Sequence, residues 1–409
     1  MATAAHGDTS SPILSDAYLA DPIAVLAQLR QSDPVHWVPG HEFWLVTRHD
    51  DVSRLFADPN CTPDPRAWER YQPAPVGSWR SQIEDRGLFS APREDHARQR
   101  RLVSAALTPR AVKRMEGQVL EVVEQFAAAL RGRTGVIDLM EAFTNPIPNA
   151  VISRITGVPA KGDDDRRFRE LAQRTIRGFP SFAPEEVKRD ADEAADEMAA
   201  WVREMAEERR RHPREDFLSD LVQAHDMDDR MTNDEVVMMV AALVNAGSET
   251  TALGGTYALR ALLENPQEWA KLRNHRELLD NAVMEILRYD FGVGGGLPRY
   301  AMQDFELRGK PIRKGQQLQL SFNGAHRDPE VFPNTDRFDV ERDTRNVVIF
   351  GRGPHFCLGA NLAKQEMRFM VDAALDFLPP GASIRHDLVE WSQMAFVRRM
   401  ETLPVEFPA

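Results

Sequence analysis

The chain has 409 residues, 42% of them hydrophobic and 28% charged, and its 51 Lys and Arg against 63 Asp and Glu leave a formal charge of -12. That balance describes an ordinary globular protein and excludes global attraction to nucleic acid or to an anionic membrane surface. Two cysteines, Cys61 and Cys357, are too few for a disulfide framework and suit a reducing cytoplasm.

The N-terminal stretch MATAAHGDTSSP is small and polar, with no basic segment leading into an apolar core. Residues 1–12 are therefore expected to form a flexible tail, neither signal peptide nor anchor. VHWV and FWLVT flank Pro39-Gly40 as the strands of a hairpin would. Apolar positions at helical spacing predict helices over 93–106, 111–131, 185–211, 232–264, 277–289 and 358–377. Thr232-Asn233-Asp234-Glu235 has the form of a capping box and introduces the apolar run VVMMVAALV. A helix apolar on most faces belongs at the centre of a fold. Further strands are expected within 299–321 and 384–407. No stretch approaches the ~18 consecutive apolar residues that span a bilayer. Helix and strand without regular βαβ alternation, and no Gly/Ser-rich linker, predict a mostly helical α+β fold as one unit over 1–409.

Residues 349–359 read IFGRGPHFCLG, crowding three glycines around Cys357. Gly351, Gly353 and Gly359 permit positive φ or the close approach of a flat object. Backbone N–H groups turned towards the sulfur, and the N-terminus of the following helix, would stabilise a thiolate. No other Cys or His lies at zinc-ligand spacing from Cys357, so a tetrahedral zinc site is poorly supported. A single thiolate held open by glycines suits an axial ligand of haem iron.

Phe350-Gly351-x-Gly353-x-His355-x-Cys357-x-Gly359 resembles the haem-binding signature of the cytochrome P-450 family of haem-thiolate monooxygenases, as found in soluble bacterial members. The resemblance implies a single triangular domain, mostly helical with small sheets, holding one haem b per chain with Cys357 as the iron ligand. Glu285-Ile286-Leu287-Arg288 resembles the family's E-x-x-R, which implies a buried network of Glu285 and Arg288 with an arginine of FPNTDRFD, Arg337. Ala246-Gly247-Ser248-Glu249-Thr250-Thr251 resembles the oxygen-binding groove: Ala246 and Gly247 leave room at the iron, while Glu249 and Thr250 relay protons during dioxygen activation. Ser248 stands where many bacterial members have His or another bulky residue. His96 and Arg100, at i,i+4, resemble the family's H-x-x-x-R and imply contacts to a haem propionate, as do Arg299 and His355.

The same resemblance implies that electrons come from NAD(P)H through an external ferredoxin and its reductase. Arg93, Arg98, Arg100, Arg101, Arg110, Lys113 and Arg114 against Glu94 and Asp95 form a local basic excess which, with Arg352, suits an acidic ferredoxin. An apolar substrate pocket is implied around Trp79, Leu88, Phe89, Phe179, Leu243, Phe291, Gly295, Leu297, Met394 and Phe396. FGVGGGLPR at 291–299 departs from the family, and Gly294 to Gly296 suggest a pocket enlarged for a steroid, terpenoid or macrolide. The reading is a cytoplasmic, monomeric monooxygenase acting on a hydrophobic small molecule, without nucleic-acid or membrane partners. A peroxide-driven peroxygenase and a non-catalytic haem-thiolate sensor share the cysteine loop and stay open at this point.

Overall fold

A computed structural model describes residues 11–408 except 79–80, 84–86, 89–92, 105–106, 158–161, 179–183, 215, 224, 227–228, 293–294 and 395–396. Eight helices build and frame the site: α1 (Arg93–Ser104), α2 (Pro109–Ala128), α3 (Pro146–Thr156), α4 (Gly162–Arg177), α5 (Glu185–Arg211), α6 (Asn233–Glu264), α7 (Leu279–Tyr289) and α8 (Ala360–Phe377). Five short strands form the main sheet: β1 (Val35–Val38), β2 (Phe43–Val46), β3 (Cys61–Thr62), β4 (Leu297–Ala301) and β5 (Gln317–Leu320), in the order β1-β2-β5-β4-β3.

α6 is the axis of the molecule. Thr232 Oγ1 accepts the N–H of Glu235 at 3.2 Å, and the Glu235 carboxylate accepts the N–H of Thr232 at 2.8 Å, closing the expected capping box. Glu235 also pairs with Arg98, which ties α1 to the start of α6. From there the helix runs 32 residues, about 48 Å, packed against α3, α5, α7 and α8. Val236, Val237, Val240, Ala241, Leu259 and Leu262 are fully buried in that packing. By length and mean composition α6 could cross a membrane, but it packs among the other helices as a core element.

The sheet sets one wall of the interior. β1 and β2 form the expected hairpin with Trp37 opposite Trp44, β5 joins β2 in parallel, and β4 joins β5 antiparallel with Arg299 opposite Leu318. Burial on β4 begins at Arg299 and continues through Tyr300 and Ala301, so the strand carries a guanidinium into the protein. At the N-terminus the last two residues of the expected tail belong to the fold. Ser11 is buried, with its Oγ 3.0 Å from His36 Nε2, and Pro12 opens a helical turn.

Behind the cysteine loop, Glu285 and Arg288 of α7 are completely enclosed. Arg288 donates to Glu285 through Nε (2.6 Å) and Nη2 (2.9 Å), and through Nη1 to the carbonyls of His326 and Thr335, both at 2.9 Å. The arginine that completes this network is Arg342, with Nε 3.1 Å from Glu285 Oε1, and this corrects the expectation for Arg337. Arg337 contributes its backbone carbonyl, which accepts from Arg342 Nη2 at 2.8 Å. That turn of the chain leaves the Arg337 side chain outside, 66% exposed.

Candidate active site

A cavity of about 330 Å³ lies between α6, the cysteine loop and β4. Its wall includes His96, Arg100, Ala246, Gly247, Thr250, Arg299, Phe350, Gly351, His355, Cys357 and Gly359, residues spread over more than 260 positions that the fold brings to one place. Leu88, Leu243, Phe291 and Leu297 line it as well. On α6, Met239, Leu243, the pair Ala246-Gly247 and Thr250 recur every three or four residues, so a single helical face forms the wall.

The loop geometry explains its sequence. Gly351 (φ +70°) and Gly353 (φ +71°) occupy the left-handed region, which lets the chain reverse and return the Cys357 N–H to the Phe350 carbonyl at 2.8 Å. Burial pushes the Cys357 thiol up, while the N–H groups of Gly359 and Ala360 and the Arg100 guanidinium pull it back down. Those donors stand where a thiolate would need them. Both cysteines are free thiols.

Gly359 is different. Its φ of -84° suits any residue, and a Cβ there would meet no protein atom within 4 Å. Neither backbone conformation nor packing within the chain demands glycine, so the missing side chain is clearance into the cavity.

The basic residues converge. The rings of His96 and His355 are 4.1 Å apart. His355 is pushed down to about 4 by burial first, then by His96, Arg299 and Arg100. Arg299 lies over the Phe56 ring at 4.9 Å, and burial lowers it to about 10. Among the described residues no carboxylate pairs with His96, Arg100, Arg299 or His355, and His96 Nε2 is buried without a hydrogen-bond partner. Guanidinium groups without counter-charge are costly to bury, and two carboxylates would compensate Arg100 and Arg299 while accepting hydrogen bonds from His96 and His355. A flat dianionic group with a metal that accepts a thiolate therefore fits the clearance at Gly359, the donors at Cys357 and the orphaned basic cluster together. Haem has these properties: Cys357 would hold its iron, and His96, Arg100, Arg299 and His355 its propionates.

On the opposite wall, Thr250 Oγ1 donates to the Ala246 carbonyl at 2.5 Å and Ser248 Oγ to that of Val244 at 2.8 Å. Both hydroxyls are thus held by the helix while their oxygens remain able to accept. Gly247 lets α3 approach, since a Cβ would come 3.3 Å from Ile152 Cδ1. Glu249 is half-buried and does not line the cavity, while Thr250, the more exposed of the two, does.

Two expectations for the pocket change. Gly295 does not border this cavity; it borders a separate one of about 440 Å³ behind Phe291, and its carbonyl accepts from Gln319 Nε2 at 3.0 Å. Gly296 (φ +86°) is glycine because a Cβ would sit 1.7 Å from the Leu320 carbonyl oxygen, so a strand contact and not substrate room selects it. Trp79, Phe89, Phe179, Gly294, Phe396 and the side chain of Met394 lie outside the described residues.

Sequence reasoning missed Glu366. It is buried on α8 at the cavity wall, burial holds its carboxyl well above the ordinary range, and Oε2 has no hydrogen-bond partner. The signal was available: Glu366 stands four residues after Leu362 and four before Met370, on the apolar stripe of its helix.

The cytochrome P450 family pattern matches residues 34–376. The chain is 34% identical over 414 residues to the cytochrome P450 monooxygenase PikC of Streptomyces venezuelae, an alignment covering 98% of this chain and 96% of the relative. Among solved structures, it resembles the bacillaene polyketide synthase cytochrome P450 PksS of Bacillus subtilis 168 with a TM-score of 0.87 at 28% identity, covering 98% of this chain and 100% of that one. The epothilone D-bound cytochrome P450epoK gives the same TM-score at 29% identity, again covering 98% and 100%. The cavity, its thiol and these likenesses converge: the chain belongs to the cytochrome P450 family, an oxidoreductase of the monooxygenase kind with the mostly helical fold of its relatives.

Proposed function

We propose that this P450 inserts one oxygen atom into a bulky hydrophobic small molecule of the polyketide kind, in the cytoplasm, with electrons passed from NAD(P)H through a ferredoxin and its reductase. The observation that carries this is the cavity wall away from Cys357. Leu88, Met239, Leu243, Phe291 and Leu297 make it apolar, with Thr250 and Thr251 among its few polar groups. Such a wall orients a substrate by shape and excludes water. The relatives support the class: one belongs to a polyketide synthase system and another holds epothilone D.

A thiolate-bound haem supplies dioxygen activation when present. The chain's own part is to bind, orient and deliver protons. Cys357 would hold the group, with the Gly359 and Ala360 N–H groups steadying the sulfur. Glu249 takes protons from solvent and Thr250 Oγ1 passes them inward, by way of its fixed position against Ala246.

Electron delivery needs a docking face. Arg101 on α1, Arg110, Lys113 and Arg114 on α2, and Arg352 in the cysteine loop are exposed, which suits an acidic partner. Arg98 and Arg100 leave that patch, because Arg98 pairs with Glu235 and Arg100 turns to the cavity and the Phe356 carbonyl.

The test is a titration of the haem-loaded protein with a panel of polyketides, steroids and small aromatics, followed by turnover with a ferredoxin system. Polyketide-induced shifts of the haem spectrum, with a product heavier by one oxygen atom, are expected. Shifts only with small aromatics, or no oxygenated product, would defeat the proposal.

A further inference from the structure

We propose that His326 is a positioning residue for the thiolate ligand: its imidazole anchors the entry to the cysteine loop and couples that loop to the Glu285–Arg288 network. His326 ends the short helix Phe322–His326 and is buried, 1% exposed. Its Nε2 accepts the N–H of Val348 at 3.0 Å. The Val348 carbonyl accepts the N–H of Gly351 at 2.8 Å, and the Phe350 carbonyl accepts that of Cys357 at 2.8 Å. The ring therefore grips the residue from which the loop's own hydrogen bonds begin.

The backbone of the same residue faces the other way. The His326 carbonyl accepts from Arg288 Nη1 at 2.9 Å and from Thr335 Oγ1 at 3.2 Å. One residue thus joins the buried ion pair on α7 to the loop that presents Cys357. The ring has little freedom: Phe322 stacks on it at 6.0 Å, and Phe332 meets it edge-on at 6.3 Å.

Acceptance at Nε2 requires the neutral ring, with its proton on Nδ1. The surroundings enforce that form. Burial is the first cause, followed by the charges of Arg288, His49 and Arg327. The neighbours are already engaged: Arg288 with Glu285, Arg327 with Asp336 at 3.0 Å, and His49 with the Asn346 carbonyl (2.7 Å) and, through its N–H, with Asp328 (3.1 Å). His326 is a fixed acceptor near neutral pH. A phenylalanine would fill the same space, so packing alone does not select histidine; the buried Val348 N–H does.

The experiment uses the haem-loaded full chain and compares wild type with His326→Phe and His326→Gln, the second keeping an acceptor. Amide hydrogen exchange at 348–357 and the carbon monoxide spectrum of the reduced protein are the readouts. In wild type the Val348 amide should exchange only through global opening. His326→Phe should exchange this segment at least tenfold faster and lose the thiolate-type carbon monoxide band several-fold faster, and His326→Gln should recover most of both. Wild-type exchange and band lifetime in His326→Phe would overturn the proposal. So would equal losses in both variants, which would indicate packing alone. If His326→Phe fails to fold, the wild-type measurement still decides: a Val348 amide exchanging as in an open peptide contradicts the proposal.

Discussion

Arg342 Nε lies 3.1 Å from Glu285 Oε1, completing a buried carboxylate whose other bonds come from Arg288 and from the Asp339 N–H at 3.0 Å. With both Glu285 and Arg288 fully enclosed, the network cannot exchange a lost partner for water. Arg342→Ala should destabilise the protein by ~3–5 kcal/mol, the usual cost of leaving a buried charge under-paired. Arg337→Ala, at an exposed side chain, should cost less than about 0.5 kcal/mol. Denaturant melts of the two variants check this, and equal losses would restore the role to Arg337.

Gly359→Val separates the needs of the chain from those of its cofactor. No protein atom lies in the path of a Cβ at Gly359, so the haem-free variant should melt within a degree or two of the wild type. Haem uptake, read as absorbance per protein, should fall several-fold. An unchanged haem content would show that the position is not clearance for the porphyrin.

Burial raises the carboxyl of Glu366 well above its ordinary 4.5, so the folded protein keeps a proton that the unfolded chain releases. Stability from this group is present below pH 4.5 and is lost as pH rises towards the folded value, by ~1.4 kcal/mol per pH unit. Glu366→Gln keeps the shape of the neutral acid and removes the slope. Its stability relative to wild type should increase between about pH 5 and about pH 8, measured by urea unfolding across that range. Parallel curves would contradict the assignment.

The helices over 185–211 and 232–264 were legible almost to the residue, because their apolar spacing is long and the second carries a capping box. α3 and α4 were not. Pro146 and Pro148 interrupt the helical spacing of the sequence, yet they sit in the first turn of α3, where no N–H needs an intrahelical partner. α4 spaces its buried residues Phe168 and Leu171 thinly among charges. In the site, residues that stand inside spaced motifs were legible, since each chemical role restricts the residue type. Arg342 was hidden because tertiary approach, and not spacing, chooses the partner of Glu285. The glycines at 295 and 296 misled for a related reason: their meaning lies in the Gln319 side chain and the Leu320 carbonyl across from them.

Charge reversal at Arg101 and Arg352 tests the docking face. Both are exposed, and neither lines the cavity. Arg101→Glu with Arg352→Glu should slow reduction by ferredoxin about tenfold or more at low salt and flatten its ionic-strength dependence, while reduction by dithionite stays unchanged. An unaltered rate and salt dependence would move the docking face elsewhere.

The central claim is that Cys357 would hold the iron of a haem bound in this cavity. The reduced protein should give, with carbon monoxide, the long-wavelength Soret band of a thiolate-ligated haem, and Cys357→His should bind haem without giving that band. Identical spectra from wild type and Cys357→His would contradict the claim.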